Sequence, residues 1–256
     1  MGRNRILILG GTTEARKLAE ALAGRAELDV LLSLAGRTAT PLPHPVPVRS
    51  GGFGGADGLA RFIVQEGIEL LVDATHPFAP RISANAAEAV AKTGIAGFAL
   101  RRPAWESVSG DRWISVADMP EAVKALGASP RRVFLAIGRQ EAHHFNAAPQ
   151  HDYLVRSVDP VDPPLQLQRV SYVLSMGPFH LEDEKRLLTE HGIEVIVAKN
   201  SGGDATYAKI EAARELGIEV VMIRRALPAN MEAVDSVAAA LRHVDQVAFP
   251  AAKRGV

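Results

Sequence analysis

Short apolar runs alternate along the chain with longer stretches whose apolar residues recur every three to four positions. Residues 5–9 and 70–74 are mostly apolar and short, as expected of strands that are buried on both faces. Residues 13–23 and 57–66 have the period of an amphipathic helix. Regular alternation of such strands and helices is typical of βαβ units, so the pattern predicts an α/β fold with parallel sheets.

The same reading gives a full set of predicted elements. Strands are predicted at 5–9, 28–34, 46–49 (a short extended piece), 70–74, 97–101, 113–116, 132–137, 153–156, 172–175, 195–198 and 219–223. Helices are predicted at 13–23, 57–66, 80–92, 118–126 with Asp118 as the cap, 181–191, 206–216 and 231–243. Turn residues at 127–130 precede a fresh start of the pattern. We therefore expect two domains, 1–128 and 129–256, with an active-site cleft between them.

Composition and charge exclude several classes of protein. The chain has 256 residues, 29 basic and 29 acidic side chains and no cysteine. A zero net charge argues against a nucleic-acid partner, and the lack of cysteine excludes disulfides and thiolate metal sites. There is no apolar run of membrane-spanning length and no secretion signal at the start, so we expect no membrane partner and a cytoplasmic location.

The first predicted strand ends in a turn of two glycines and two threonines that leads into a helix. Glycines allow a phosphate to approach the backbone closely, and a helix N-terminus presents unpaired N–H groups and a positive dipole end. The turn lacks the G-x-G-x-x-G fingerprint and could simply join strand to helix. Its position favours a dinucleotide pyrophosphate, which usually lies at the first βα turn. The candidates here are Gly10, Gly11, Thr12, Thr13, Glu14 and Ala15.

The end of the second predicted strand bears on which dinucleotide is bound. NAD-binding units often place a carboxylate there to hold the ribose 2′-hydroxyl. This chain has Ser33 and Arg37 instead, and Asp29 lies at the other end of the strand. A hydroxyl and a guanidinium suit the 2′-phosphate of NADPH, although Arg37 alone could be an ordinary surface arginine. We predict NADPH as the cofactor.

Two further loops supply candidates for the cofactor site. Asp73, Thr75, His76 and Pro77 follow the predicted strand 70–74, at the strand end where α/β enzymes bind ligands. His76 could instead be a supporting residue, and Asp73 could cap the next helix. Gly52 and Phe53 lie within a run of four glycines around one aromatic ring, which could approach a flat ligand or serve as a structural loop or hinge.

A second glycine turn lies late in the chain, after the strand 195–198. A lysine, two glycines and several hydroxyls before a predicted helix favour an anion. Arg101, Arg102 and Arg156 are further candidates for carboxylates, with ordinary surface charge as the alternative.

Five segments together resemble the precorrin-6A reductase family of corrin (vitamin B12) biosynthesis. They are GGTTEAR at 10–16, GGFGG at 51–55, DATHPFA at 73–79, RPAW at 102–105, and KNSGG at 199–203 with Thr206, Tyr207 and Lys209. The resemblance implies two Rossmann-like domains and NADPH as the sole cofactor. It also implies reduction of one double bond of precorrin-6A, a tetrapyrrole-derived polycarboxylate, to give precorrin-6B.

On this resemblance the substrate-binding residues are expected in both halves of the chain. They are Arg16, Arg102, Trp105, Lys199, Asn200, Ser201, Gly202, Gly203, Thr206 and Tyr207. Reduction also consumes a proton, for which the catalytic candidates are His76, Tyr207 and Lys209. Two alternatives stay open: an NADH-dependent reductase of the cobalt-containing precorrin, and a non-catalytic NADPH sensor.

Other chemistries lack their motifs. Adjacent histidines on a helix, such as His143 and His144, point about 100° apart and cannot readily grip one ion, so no metal is predicted. Gly-x-Ser-x-Gly is absent, which excludes the nucleophile elbow of α/β-hydrolases. Tyr207 and Lys209 are two residues apart, not the four of a short-chain dehydrogenase pair, and therefore lie on different helix faces.

Overall fold

Twelve strands and seven α-helices alternate along the residues that the computed structural model describes, which are 4–36, 43–226 and 230–248. The strands are β1 (Asn4–Leu9), β2 (Leu28–Leu34), β3 (Val48–Ser50), β4 (Leu70–Asp73), β5 (Ala96–Leu100), β6 (Trp113–Val116), β7 (Arg132–Ala136), β8 (Asp152–Ser157), β9 (Val170–Leu174), β10 (Val195–Lys199), β11 (Glu219–Ile223) and β12 (Ala233–Val234). The helices are α1 (Thr13–Leu22), α2 (Gly55–Glu66), α3 (Pro80–Thr93), α4 (Met119–Ala125), α5 (Leu181–Glu190), α6 (Ala208–Leu216) and α7 (Val237–Ala248), with a 3-10 helix at Ala142–Ala147.

The first unit is built on a parallel sheet in the order β12-β5-β4-β1-β2-β3. Its central strand β1 is apolar on both faces because both faces are covered. Ile6 and Ile8 pack with α1 and α7, whereas Leu7 and Leu9 pack with α2 and α3. Such two-sided burial explains why the strand reads as a continuous apolar run and not as an alternating one.

The strand order of this sheet reverses between β1 and β4. From β1 the chain adds β2 and β3 on one side, then returns to add β4, β5 and β12 on the other. The loops after β1 and β4 therefore diverge and leave a crevice at the carboxyl ends of the strands, which is where open α/β sheets bind ligands.

The second unit repeats this architecture with a parallel sheet in the order β6-β11-β10-β7-β8-β9. Its reversal point lies between β7 and β10. On one face Phe134, Ile196 and Met222 pack against Leu188 of α5 and Ile210 of α6. The two parallel sheets with interleaved helices confirm the predicted α/β class.

The chain divides differently from the predicted boundary at residue 128. The second unit is Ala104–Ala226, and the first consists of the described residues of 1–103 and of 227–256. β6 belongs to the second unit because it pairs with β11. β12 pairs with β5, and Ala240 and Val244 of α7 are buried in the first unit's core. Turn composition at 127–130 marked a loop inside a unit, not a boundary.

Two predicted helices also begin later than expected. The prediction 231–243 combines a short strand, β12, with helix α7, which starts at Val237 because the Ser236 hydroxyl accepts the N–H of Ala239 at 3.3 Å. Helix α6 begins at Ala208, not at residue 206. In the described part of the chain, no helix is both long enough and apolar enough to cross a membrane.

His151 lies buried in the second unit and gives this unit a predictable pH dependence. Its ring is edge-on to Tyr153, and its burial lowers its pKa below the ordinary value. The unfolded chain therefore takes up the proton at higher pH than the folded one. The contribution to stability is present above about pH 6.5 and is lost as the pH falls through the window between the unfolded and folded pKa values, at up to about 1.4 kcal/mol per pH unit.

We expect the urea midpoint of the wild-type protein to fall between pH 7.5 and pH 5.5, and to fall less in His151→Gln. His191→Gln is the matched control, because His191 is exposed on the same unit. An identical pH dependence in all three proteins would contradict the role given to His151.

Candidate functional site

Thr12 connects the two loops that flank the reversal point of the first unit. Its hydroxyl oxygen accepts the N–H of Ala15 at 3.1 Å and so caps helix α1. The same hydroxyl donates to the carbonyl oxygen of Ala74, after β4, at 2.9 Å. Since a hydroxyl has one hydrogen, Thr12 has no side-chain donor left for a phosphate, and its contribution to a bound anion is limited to its backbone N–H.

Glycine is required at the two positions of this turn for different structural reasons. A Cβ on Gly10 would lie 2.7 Å from Cδ1 of Leu32, so Gly10 permits close packing of the turn on β2. Gly11 has a φ of +117°, and a Cβ there would meet nothing within 4 Å. Gly11 thus leaves open space directly before the helix N-terminus, whose first N–H groups at Thr13 and Glu14 have no partner within the helix. This arrangement fits the pyrophosphate of a dinucleotide.

Two residues predicted to contact different ligands contact each other. Glu14, in the first turn of α1, forms an ion pair with Arg102, and both side chains are largely buried. This pairing neutralises a carboxylate beside the N-terminus of α1. Arg16 forms an i,i+4 pair with Glu20 at 2.7 Å on the surface of α1.

Asp73, at the end of β4, organises the loop that follows it. It is 2% exposed, and Oδ1 accepts both the N–H of Thr75 at 3.2 Å and its hydroxyl at 2.6 Å. Oδ2 accepts from Nη2 of Arg101 at 3.2 Å. Thr75 in turn lies 3.3 Å from the hydroxyl of buried Ser83. Asp73 is therefore a positioning residue, and it does not cap α3, whose cap is Ala79.

His76 begins a turn whose carbonyl oxygen accepts the N–H of Ala79 at 2.8 Å. Its Nδ1 accepts the N–H of Phe78 at 3.2 Å, so the neutral ring carries its hydrogen on Nε2. The side chain is half-buried, with its ring beside that of Phe78. A fixed Nδ1 and an oriented Nε2 are what a proton donor or acceptor at this sheet edge requires.

The glycine loop at 51–55 is held by Arg49, which the sequence did not single out. Its guanidinium donates to the carbonyl oxygens of Gly51 at 2.8 Å and Gly52 at 2.9 Å, and lies 3.8 Å from the centre of the Phe53 ring. Phe53 also packs edge-on against Phe62, at 5.2 Å between ring centres. The ring predicted to contact a flat ligand is thus packed within the unit.

In the second unit, Asn200 is used to hold the segment around Trp105. Its Oδ1 accepts the N–H of Trp105, and its Nδ2 donates to the carbonyl oxygen of Trp105, both at 2.8 Å. Nε1 of Trp105 donates to the carbonyl oxygen of Gly203 at 2.9 Å. The polar groups of both side chains are thus engaged within the unit.

Tyr207 and Lys209 pack against the same tryptophan. The ring of Tyr207 lies 5.7 Å from that of Trp105, and its hydroxyl oxygen accepts from Nη2 of Arg214 at 2.6 Å. Lys209 is 4% exposed, with Nζ 4.9 Å from the Trp105 ring and donating to the carbonyl oxygen of Thr206. Two of the three predicted acids are thus built into a packed aromatic cluster.

The remaining residues of the second glycine turn lie at the reversal point of the second sheet. Lys199 ends β10, and its Nζ is 3.6 Å from Glu141 in the loop after β7. Ser201 is buried, and Gly202 and Gly203 both have positive φ. Four residues, 204–207, separate the glycines from α6, so this turn does not lead directly into a helix N-terminus as predicted.

Arg156 is a buried structural arginine and not a ligand for a substrate carboxylate. It forms an ion pair with buried Glu184 of α5, and Cζ of its guanidinium lies 4.8 Å from the centre of the Phe134 ring and 3.8 Å from that of Phe179. Sequence reasoning missed Glu184, because an acidic residue in the first turn of a helix usually faces solvent.

Comparison with known proteins decides the family. The family described as "Precorrin-6x reductase CbiJ/CobK" matches residues 5–245 of the chain. The chain belongs to this family. It is 60% identical over 251 residues to a precorrin-6A reductase from Sinorhizobium sp., covering 98% of this chain and 96% of that protein. A precorrin-6A reductase from Mycobacterium tuberculosis is 44% identical, with 91% and 94% covered.

More distant and structural relatives agree. A cobalt-precorrin-6A reductase from Priestia megaterium is 31% identical, with 86% of this chain and 90% of that protein covered. The solved structure of "CobK precorrin-6A reductase" superposes with a TM-score of 0.92 at 44% identity, covering 99% of this chain and all of that one. These matches confirm the resemblance noted in the sequence, and with it an oxidoreductase.

The predicted site residues of this reductase form two groups: those whose polar groups are hydrogen-bonded within the fold, and those with groups that a ligand could contact. Thr12, Asp73, Asn200 and Trp105 spend their polar groups on the fold. Gly11 and Ser33 retain groups that a ligand could use. Arg37 lies outside the described residues. Pro77 favours extended geometry at His76, since proline restricts the residue before it.

Proposed function

We propose that the chain reduces one double bond of precorrin-6A to give precorrin-6B, with NADPH as the reductant. The observation that carries this proposal is the 60% identity, over nearly the whole of both chains, to a protein named precorrin-6A reductase. Three cobalt-precorrin-6A reductases are also similar over most of their length but only 25–31% identical, about half that identity or less, which favours the metal-free substrate.

The first unit has the features needed to hold NADPH. The open space beside Gly11 and the N–H groups of Thr13 and Glu14 suit the pyrophosphate. Ser33 and, by our sequence prediction, Arg37 would lie toward the 2′-phosphate. When bound, NADPH supplies the hydride; the protein's own tasks are to position the cofactor, bind the ring and supply one proton.

His76 is our preferred proton donor among the three candidates. His76 lies in the loop after β4, at the carboxyl edge of the first sheet where α/β folds bind ligands, and its Nδ1 accepts the N–H of Phe78. The hydroxyl oxygen of Tyr207 already accepts from Arg214, and the ammonium of Lys209 is buried beside Trp105. Both are better suited to support the second unit than to exchange protons with a substrate.

Lys199 is our preferred ligand for a substrate carboxylate in the second unit. It stands at the carboxyl end of β10, at the reversal point of the sheet, where ligands of α/β folds bind. Its Nζ lies 3.6 Å from Oε1 of Glu141, and an ammonium group has three hydrogens to donate, which suits a site that binds carboxylates.

The test is NADPH oxidation that depends on precorrin-6A, measured for wild type, Lys199→Ala and Lys185→Ala. Each charge-assisted bond is worth roughly 1.5–3 kcal/mol, so Lys199→Ala should raise the KM for the precorrin ~10- to 100-fold and leave that for NADPH unchanged. Lys185 is a surface lysine of the same unit and controls for lost charge.

Three results would count against the proposal. NADPH binding without turnover of precorrin-6A would leave only a sensor. Faster turnover of the cobalt-containing ring would reverse the choice of substrate. A KM effect of Lys199→Ala on NADPH alone would make the second glycine turn a nucleotide site.

A further inference from the structure

Arg49 is a cation held in place by groups that do not neutralise it. Its Nη1 donates to the hydroxyl oxygen of Ser33 at 3.2 Å and to the carbonyl oxygen of Gly51 at 2.8 Å. Its Nη2 donates to the carbonyl oxygen of Gly52 at 2.9 Å. The flat face of the guanidinium lies on the Phe53 ring, which fixes its orientation.

These three hydrogen bonds leave some donors of the Arg49 guanidinium unused. The three bonds use both hydrogens of Nη1 and one of Nη2. The hydrogen on Nε and the second one on Nη2 donate to no group in residues 4–36, 43–226 and 230–248. The Ser33 hydroxyl acts as an acceptor toward Arg49 and so keeps its own hydrogen. Three donors on two adjacent side chains thus remain for an oxygen-rich ligand.

Arg49 also differs from the other arginines of the first unit in its ion pairing. Each of the other half-buried arginines among the described residues of the first unit pairs with a carboxylate: Arg5 with Asp29 and Glu66, Arg16 with Glu20, Arg25 with Glu27 and Asp245, Arg101 with Asp73, and Arg102 with Glu14. Arg49 has no carboxylate within 4.0 Å among the described residues, and burial lowers the pKa of its guanidinium. A partly buried cation without a counter-charge is costly for the fold alone.

Position indicates which anion is missing. Arg49 of β3 and Ser33 of β2 are direct neighbours in the parallel register, one strand beyond the phosphate turn. In dinucleotide-binding units the carboxyl end of the second strand faces the ribose of the adenosine half. An anion at that place is a phosphate on the ribose 2′-oxygen.

We propose that Arg49 and Ser33 form the subsite for the 2′-phosphate monoester of the cofactor, and that Arg49 sets the preference for NADPH over NADH. This inference rests on the proposed use of NADPH. It differs from the sequence prediction in assigning the discriminating guanidinium to Arg49 on β3. One side chain thereby couples the glycine loop to the cofactor's 2′-phosphate.

The test uses two nucleotide fragments, 2′,5′-ADP and ADP, which differ only in where the second phosphate is attached. Calorimetric titration of the full chain should show wild type preferring 2′,5′-ADP. Arg49→Gln should weaken 2′,5′-ADP roughly 30-fold and change ADP less than about twofold. Arg49→Lys keeps the charge but not the planar fork, and should lose part of the preference. Arg61→Gln, an exposed arginine on α2, is the control.

Every other outcome would overturn the Arg49 assignment, the proposed use of NADPH, or both. If wild type shows no preference for 2′,5′-ADP, the NADPH proposal and this subsite both fail. If wild type prefers 2′,5′-ADP and Arg49→Gln keeps that preference, or if Arg37→Gln abolishes it in its place, only the Arg49 assignment fails. Equal weakening of both fragments would make Arg49 a structural clamp of the loop. Should Arg49→Gln not fold, the same comparison with Arg49→Lys decides between these outcomes.

Discussion

Glu184→Leu is expected to lower the free energy of unfolding by about 3–5 kcal/mol, because it leaves the Arg156 guanidinium buried without its carboxylate. Arg156 is 7% exposed and Glu184 2% exposed, and both guanidinium nitrogens of the fork contact the carboxylate. The rings of Phe134 and Phe179 also lie against the guanidinium, so the unpaired charge would remain in largely apolar surroundings. Urea denaturation followed by circular dichroism measures the change.

The double variant Arg156→Met with Glu184→Leu removes both charges. It therefore distinguishes the stability lost with the ion pair itself from the stability lost by leaving one buried charge unpaired. It should recover most of the stability, since apolar residues of similar volume often replace a buried pair at little cost. Asp183→Asn is the matched control: Asp183 is on the same helix and pairs with Arg186, but both are exposed, so we expect a change within about 0.5 kcal/mol. A double variant as unstable as Glu184→Leu would contradict this account.

Local pattern predicted the strands and helices of this chain well because parallel sheets bury whole strands and so give uninterrupted apolar runs. It could not predict the division into units. The pairing of β12 with β5 and the burial of Val244 join the chain's end to its beginning, and no local signal reports contacts so far apart in sequence. Turn residues at 127–130 were therefore given more meaning than they carry.

The sequence identified candidate ligand residues by their side-chain chemistry alone. Side-chain chemistry does not reveal whether a polar group is already hydrogen-bonded within the fold. Asp73 and Asn200 are polar residues at the carboxyl ends of strands, as expected of ligands, but each organises the backbone around it. Arg49 was passed over because it lies inside an apolar extended piece, where a charge looks like an exception. The signal that could have found it is that same exception: a charged residue two positions before a glycine loop, at the end of an apolar strand, needs a reason to be there.

Gly58→Ala, a substitution in helix α2, is expected to displace the backbone of the glycine loop 51–55. Gly58 is buried in α2, and a Cβ at this position would lie 1.7 Å from the carbonyl oxygen of Phe53 and 2.7 Å from its carbonyl carbon. Both atoms belong to the backbone, so no change of rotamer relieves the overlap. The backbone at Phe53 must shift, at a cost of about 3 kcal/mol, typical of the upper range for overpacked sites.

The consequence should reach the cofactor, because the displaced segment carries the carbonyl groups that hold Arg49. If Gly51 and Gly52 move, the guanidinium loses two of its three hydrogen bonds and its fixed orientation. We therefore expect Gly58→Ala to weaken 2′,5′-ADP more than ADP, as well as to lower the urea midpoint. Gly24→Ala is the matched control, since its Cβ would meet nothing within 4 Å and its φ is not positive. An unchanged midpoint for Gly58→Ala would show that the loop yields freely, and equal weakening of the two nucleotides would separate the loop from the 2′-phosphate.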